Sequence, residues 1–185
     1  MTKMNGVDVD GLKEVVQAVG DRPELAHVTF GVSSDWAGGM TTSSCTAPFR
    51  QAGEVEPTRT ATYSFASDEP AALLGTDAAA SPGEYVLQAL AGCYAVTFAA
   101  NAAARGIQLD SLHFELEGDF DLHGFLGLDE KVRPGMGALR VRVALESPNA
   151  SREELEDLTQ TVEARSPIRD TLAAPVPVET ILQQD

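Results

Sequence analysis

The residue best suited to chemistry in this sequence is Cys93, one of two cysteines in a chain of 185 residues. It lies in the middle of the stretch 81–106, SPGEYVLQALAGCYAVTFAANAAARG, in which residues 85–104 carry no charged side chain. The thiolate form of cysteine, rather than the thiol, is the effective nucleophile. In such apolar surroundings Cys93 is either a small core residue or a protected reactive centre, and the local sequence alone favours the core residue.

The stretch around Cys93 is predicted to be a long helix that the rest of the chain covers. Ser81 and Glu84 fit a capping box, Pro82 fits the first helical position, and Gly106 fits the helix end. A helix that is apolar on every side is expected to be buried on every side. Its Gly, Ala, Thr, Gln and Asn residues make it a poor membrane span. Two small sheets and one amphipathic helix cannot easily enclose it, so we expect a homodimer with a shared helical core.

Patterned segments on both sides of this helix predict an α+β fold. Alternating or β-rich sequence predicts strands at 27–33, 40–47, 60–66, 112–122, 139–145 and 176–182. A turn is predicted at 35–39. Ser151 and Glu154 form the capping box of a second helix, and Ser166 with Pro167 marks the start of a third.

The beginning of the chain is predicted to be an extension of the main domain. Residues 1–6 are expected to be disordered and residues 7–20 to form an amphipathic helix. This divides the chain into an N-terminal helical extension, 1–24, and a domain at 25–185. No signal-peptide pattern precedes the helix, so a cytoplasmic location is expected.

Charge and composition restrict the partners and cofactors. The formal net charge of −15 argues against nucleic acid and anionic membrane, because both require a basic surface. The three histidines are scattered, and no metal-ligand spacing is present, so we predict no metal site and no other cofactor. His113 and His123 are predicted at solvent-exposed strand ends, without a base-like partner.

Several segments together indicate a family. They read SPGEYVLQALAGCY, ARGIQLDSLHFELEGDFDLHGFLGL, VRPGMGALRVRVALES and EARSPIRDTLAAPVPVE. Residues 27–182 thereby resemble the OsmC/organic hydroperoxide resistance proteins, and most closely the OsmC-like branch. The resemblance implies an intertwined homodimer in which two antiparallel β-sheets clasp long buried central helices. It also implies thiol-dependent reduction of organic hydroperoxides, without metal or flavin, at sites in the subunit interface.

The resemblance assigns roles to individual residues. Cys93 matches the peroxidatic cysteine, and Glu84 matches a glutamate that pairs with an activating arginine. Arg50 fits that arginine best, with Arg59 as the second choice. A guanidinium beside the sulfur would stabilise the thiolate, and a carboxylate would compensate a buried guanidinium. Because Glu84 precedes Cys93 by about 2.5 helical turns, it does not share its face, and the arginine must bridge the two.

The sequence departs from the family at the second catalytic cysteine. The family has a Cys-Pro step after its second long helix, whereas this chain has Ser166-Pro167. Serine cannot form the disulfide, so an external thiol reductant is expected to resolve the oxidised Cys93. Cys45 could do so only if the two Cα atoms lie within about 7 Å.

Two functions have support in the sequence, and a third, a structural or regulatory subunit, has no sequence feature in its favour. In the first, Leu90, Tyr94 and Phe125 form an apolar wall that binds a small organic hydroperoxide, which Cys93 reduces. In the second, the protein is a non-catalytic dimeric binder of a small apolar ligand, and Cys93 is only a core residue.

Overall fold

The computed structural model describes residues 3–174 and 176–183 of the chain. These form two compact units, one of residues 3 and 8–86 and the other of residues 4–7, 87–174 and 176–183. Both contain antiparallel strands, and the long central helix begins in the first unit and continues into the second. The predicted α+β class is confirmed.

The chain begins with a small hairpin rather than disorder. Strands β1 (Lys3–Met4) and β2 (Val7–Asp8) form a two-stranded sheet. The turn residues Asn5 and Gly6 both have positive φ angles, 53° and 77°, which suit an Asn-Gly hairpin turn. Disorder at 1–6 is therefore wrong for residues 3–6, and residues 1 and 2 lie outside the described residues. Helix α1 (Val9–Asp21) follows and confirms the predicted helix.

The first unit holds two three-stranded antiparallel sheets. One contains β3 (Val28–Thr29), β6 (Arg50–Gln51) and β7 (Glu54–Val55), and the other contains β4 (Val32–Gly38), β5 (Thr41–Thr46) and β8 (Ser64–Ser67). The predicted turn at 35–39 lies later in the chain, at Gly39 and Met40, because β4 stays paired with β5 as far as Gly38. The predicted strand at 60–66 begins only at Ser64, and the β6–β7 hairpin was not predicted.

A buried carboxylate organises the loop between β8 and the central helix. Asp68 is fully buried and accepts hydrogen bonds from the backbone amides of Glu69, Thr76 and Ala78. The Thr76 hydroxyl also donates to it at 2.5 Å. These hydrogen bonds, led by the Thr76 hydroxyl, lower the pKa of Asp68 from 3.8 to about 2. The carboxylate therefore holds the loop closed by satisfying donors along its length.

This carboxylate makes the stability of the fold depend on acid pH. Because its pKa is lower in the folded chain, its stabilisation is complete above pH 3.8 and is lost as pH falls towards about 2. We expect Asp68→Asn to lower the urea midpoint of unfolding near neutral pH. Between pH 3.8 and about 2, the midpoint of this variant should decrease less with falling pH than that of the wild type. The matched control is Asp77→Asn in the same loop, where Asn also tolerates the positive φ of 57°. Equal acid slopes in Asp68→Asn and the wild type would contradict this role.

The central helix, α2 (Pro82–Arg105), has the predicted start and end. The Ser81 backbone N–H donates to the Glu84 carboxylate at 2.7 Å, and the Glu84 N–H donates to the Ser81 hydroxyl at 3.2 Å. Gly106 follows the helix with a φ of 72°. Burial on every side is wrong for this single chain, because Val96 is 71% exposed.

One face of α2 packs in the core of the second unit. Its buried side chains recur every four residues, as one stripe of a helix does, at Leu90, Tyr94, Phe98 and Ala102. Helix α2 is long and apolar enough to span a membrane. Core helices of soluble proteins can have the same length and composition. In the single chain, 28% of the most apolar 18-residue window of α2 is buried.

The rest of the second unit covers this stripe with a two-stranded sheet and helices. Strands β9 (Ser111–Asp119) and β10 (Ala138–Glu146) pair antiparallel along their whole length, and every second residue is half-buried. A short helix, α3 (Leu122–Phe125), lies in the connection. Helix α4 (Arg152–Arg165) begins with the predicted Ser151–Glu154 capping box, and α5 (Pro167–Ala173) follows directly. Both sheet strands and both helices confirm the predictions.

The predicted strand at 176–182 is absent. Residues 176–183 have no regular secondary structure, and Val178 and Leu182 are exposed. The alternating sequence is compatible with a strand, but a strand also requires a neighbouring backbone, and this segment pairs with none among the described residues.

Candidate functional site

The structure brings Cys93 together with Ser166, the serine of the Ser166-Pro167 step. Cys93 is a half-buried free thiol on α2. The Ser166 hydroxyl donates a hydrogen bond to its sulfur, with 3.1 Å between Oγ and Sγ. The serine is only 1% exposed. Residues 73 positions apart thus form one buried polar contact.

Local capping and helix packing explain this contact. Ser166 ends α4, donating its backbone N–H to Val162, and caps α5 by accepting the Arg169 N–H at 3.4 Å. Val162 and Leu158 are buried in the same core cluster as the apolar stripe of α2. Because Val162 lies one turn before Ser166, packing of α4 on α2 brings the start of α5 to Cys93. Cys93 is in mid-helix on α2, but it contacts the N-cap residue of α5.

The helices that carry this pair also line a cavity of about 480 Å³. Helix α2 lines it with Leu90, Tyr94 and Phe98, and β10 lines it with Leu139, Val141 and Val143. Residues of α4 and α5 complete the wall. Two of the three predicted substrate-binding residues, Leu90 and Tyr94, therefore line one cavity. The Cys93 side chain is not part of its lining, whereas that of its neighbour Tyr94 is.

Polar groups at one side of the cavity were missed by the sequence analysis. Arg169 and Glu163 both line it, with 3.9 Å between guanidinium nitrogen and carboxylate oxygen. Burial, and then the Glu163 carboxylate, raise the pKa of Tyr94 above its usual value, while Arg169 opposes the rise. The Tyr94 hydroxyl is therefore a neutral group at physiological pH. In the sequence, the only signal near these polar groups was the helix start at Ser166-Pro167.

The other predicted catalytic residues belong to the first unit. Glu84 serves the capping box, and the Ser81 N–H that it accepts lowers its pKa. Arg50 has an exposed side chain on β6, where its backbone pairs with Thr29 and Val55. The Arg59 guanidinium lies 5.6 Å from the ring centre of Tyr63. The activating role of an arginine stays a prediction.

The remaining candidates lie outside the pair and its cavity. Phe125, the third predicted substrate-binding residue, is 72% exposed on α3 and is not part of the cavity lining. Cys45 is a free thiol on β5, paired with Ser33 and Ser64.

The predicted isolation of His123 is wrong, because its Nδ1 lies 2.7 Å from an Asp121 carboxylate oxygen. Both side chains are exposed, so the contact is a surface pair at the start of α3. Among the described residues, no group of three or more His, Cys, Asp or Glu is arranged to hold a metal ion.

Comparison with known proteins identifies the family. Residues 75–181, more than half of the chain, match the family model described as OsmC-like protein. The chain therefore belongs to the OsmC-like family. That family match covers the central helix, β9, β10, α4 and α5, including both Cys93 and Ser166.

Solved structures show the same fold at low sequence identity. An OsmC-like protein from Mycoplasma pneumoniae is 19% identical over 80% of this chain and 89% of its own, with a TM-score of 0.56. An organic hydroperoxide resistance protein OsmC from Legionella pneumophila is 15% identical over 78% and 88%, with a TM-score of 0.54. One from Elizabethkingia anophelis is 14% identical over 80% and 89%, also at 0.54. No curated protein sequence matches the chain.

Proposed function

We propose that this protein is a thiol-dependent peroxidase that reduces small organic hydroperoxides with Cys93 as the reacting thiol. Membership of the OsmC-like family supports this class of activity. The observation that carries the proposal is the position of Cys93, a free thiol held against the buried Ser166 hydroxyl. Its neighbour Tyr94 lines an apolar cavity, which suits an organic rather than an inorganic peroxide.

The chemistry requires one thiolate and two equivalents of an external thiol. The Cys93 thiolate attacks the distal oxygen of ROOH, so that an S–O bond forms, the O–O bond breaks and RO⁻ leaves to take a proton as ROH. Cys93 is then a sulfenic acid. A first external thiol displaces water to form a mixed disulfide, and a second releases the Cys93 thiolate and the oxidised reductant.

Ser166 requires that the reductant be external. A cysteine at this position would attack the sulfenic acid of Cys93, whereas a serine hydroxyl cannot form a disulfide. We propose Arg50 as the activating guanidinium and Glu84 as its carboxylate partner, with Phe125 as a further contact to substrate. Both cytoplasmic location and independence of metal or flavin belong to the same proposal.

A homodimer is proposed as the working form. The exposed Val96 on α2 and the exposed residues Phe125, Leu126 and Leu128 at the end of α3 and after it support it, because a second chain would remove this apolar surface from water. Size-exclusion chromatography with light scattering should give twice the chain mass of 19.6 kDa. A monomer would end this part of the proposal.

Turnover by the wild-type protein tests the proposed function. Purified protein with a dithiol reductant should consume cumene hydroperoxide faster than hydrogen peroxide at equal concentration. Consumption of both at the rate of the reductant alone would reject a peroxidase.

The cavity favours a second candidate, a binder of a small apolar ligand. Its volume suits such a ligand, and the Cys93 side chain is not in its wall. Under this function the cavity binds its ligand without chemistry at the thiol. Arg169 and Glu163 would then contact the polar end of the ligand.

A substitution in the cavity tests the binder. We expect Val143→Phe to weaken binding of N-phenyl-1-naphthylamine by about tenfold or more, because the larger side chain occupies the cavity. Ala144→Phe is the matched control, since Ala144 lies on the exposed face of the same strand. Fluorescence titration measures both. No saturable binding by the wild type, or equal loss in both variants, would contradict a ligand site in the cavity.

A further inference from the structure

We infer that the hydroxyl of Ser166 is a positioning group for the reaction, which stabilises and orients the thiolate of Cys93. This inference rests on the proposed function and gives the serine a role of its own. Ser166 is then more than a residue that has lost the ability to form a disulfide.

The hydrogen bonds around Ser166 determine the direction of its single proton. The serine oxygen accepts the Arg169 N–H at 3.4 Å, so its own hydrogen is available for Cys93, 3.1 Å away. A hydroxyl has only one hydrogen to donate. The two bonds therefore run in one direction, from the Arg169 backbone through the serine to the sulfur.

Burial makes this donor effective. Ser166 is 1% exposed, so water does not compete for its hydrogen. A donor held at a fixed position stabilises a thiolate more than a neutral thiol, because hydrogen bonds to a charged partner are the stronger ones. The same bond holds the sulfur in one orientation while a peroxide approaches.

The ionisable groups around the pair come from three helices. Tyr94 lies on α2, Glu163 on α4 and Arg169 on α5. The charges of Glu163, Arg169 and Cys93 all affect the pKa of Tyr94. The guanidinium of Arg169 is paired with Glu163 at 3.9 Å, and its backbone N–H bonds Ser166. The substitutions below leave all three side chains in place.

Capping of α5 is the competing explanation for a serine at this position, and the chain offers a matched control. Ser151 caps α4 through the same kind of bond, from the Glu154 N–H at 3.3 Å. Glycine replaces serine at a helix start at little cost, whereas alanine costs more. Ser166→Gly therefore removes the donor to sulfur while keeping most of the cap, and Ser151→Gly makes the same change at the other helix.

The test is the alkylation rate of Cys93 by iodoacetamide as a function of pH, in the Cys45→Ser background. Only the thiolate reacts, so the profile reports its formation and requires no peroxidase activity. We expect Ser166→Gly and Ser166→Ala to slow the reaction about tenfold at pH 7 and to displace its pH profile, because both remove the hydroxyl that donates to the sulfur. Ser151→Gly should keep the wild-type profile, and Ser166→Thr should restore most of the rate by restoring a hydroxyl.

The outcomes separate this inference from the proposed function. Profiles of Ser166→Gly and Ser166→Ala that superimpose on the wild type would overturn the positioning role, even if the protein reduces hydroperoxides. An equal shift in Ser151→Gly would also overturn it, since the effect would then arise from helix stability. A shift confined to the Ser166 variants would support the effect of the hydroxyl on the Cys93 thiolate, and failure of the wild type to reduce any peroxide would then reject the proposed function alone.

Discussion

Replacing Cys93 by serine should abolish the reduction of organic hydroperoxides, with a loss of more than about 100-fold in rate. The hydroxyl of serine is a far weaker nucleophile than a thiolate, and it does not accept the peroxide oxygen as sulfur does. The loss should appear in kcat/KM for cumene hydroperoxide. Circular dichroism should be unchanged, because serine is close in size to cysteine and Cys93 is only half-buried.

Cys45→Ser is the control for this prediction. Cys45 is also a free thiol, on strand β5 of the first unit, so the variant tests whether any thiol suffices. It should keep the wild-type rate. Retention of activity in Cys93→Ser, or its loss in Cys45→Ser alone, would place the reacting thiol elsewhere.

Replacing Ser166 by cysteine should convert the protein into a two-cysteine peroxidase. The serine oxygen already lies 3.1 Å from the sulfur of Cys93, and a disulfide requires an S–S distance of about 2.05 Å. The longer carbon–sulfur bond of the new side chain closes part of this gap. One equivalent of hydroperoxide should therefore leave both thiols in an intramolecular disulfide, seen by mass spectrometry as the loss of two hydrogen atoms.

The new disulfide should also protect the protein against excess peroxide. In the wild type, a sulfenic acid on Cys93 that meets no external thiol is oxidised further to the sulfinic acid. Ser166→Cys should reduce that product about tenfold or more, because the neighbouring thiol competes with the peroxide. The double variant Cys93→Ser, Ser166→Cys should form no intramolecular disulfide between these positions. A single variant that keeps two free thiols after peroxide would contradict the geometry of the pair.

Sequence determined the elements whose signals are local. The Ser81–Glu84 and Ser151–Glu154 capping boxes and the alternation in β9 and β10 gave helices and strands close to those observed. A capping box satisfies backbone donors within one turn, and alternation reflects a single buried face. Such features do not depend on distant parts of the chain.

The predictions fail where an element is very short or where its structure depends on residues far away in the sequence. The Asn5-Gly6 turn was visible in the sequence, but the two-residue strands that it joins are too short for a periodic pattern. Asn5 is also held by Ile107 and Leu109, more than 100 residues away. Residues 176–182 show the opposite case, with a strand-like pattern and no partner backbone within the described residues.

The candidate site was predictable only in part for the same reason. Cys93 could be selected from its apolar helix, but its local sequence favoured a core residue, and the family resemblance was needed to suggest chemistry. The contact with Ser166 joins positions 73 residues apart, and the cavity residues Glu163 and Arg169 come from two further helices. Their convergence follows from the packing of α4 on α2, which no spacing in the sequence reveals.

The most direct test of this account is to trap the oxidised form of Cys93. The wild-type protein would be treated with one equivalent of cumene hydroperoxide in the presence of dimedone, which reacts with sulfenic acids, and then mapped by peptide mass spectrometry. We expect one adduct on Cys93, formed together with one equivalent of the alcohol, and none on Cys45. Formation of the alcohol with an adduct on Cys45, or unmodified Cys93 with the peroxide left intact, would contradict it.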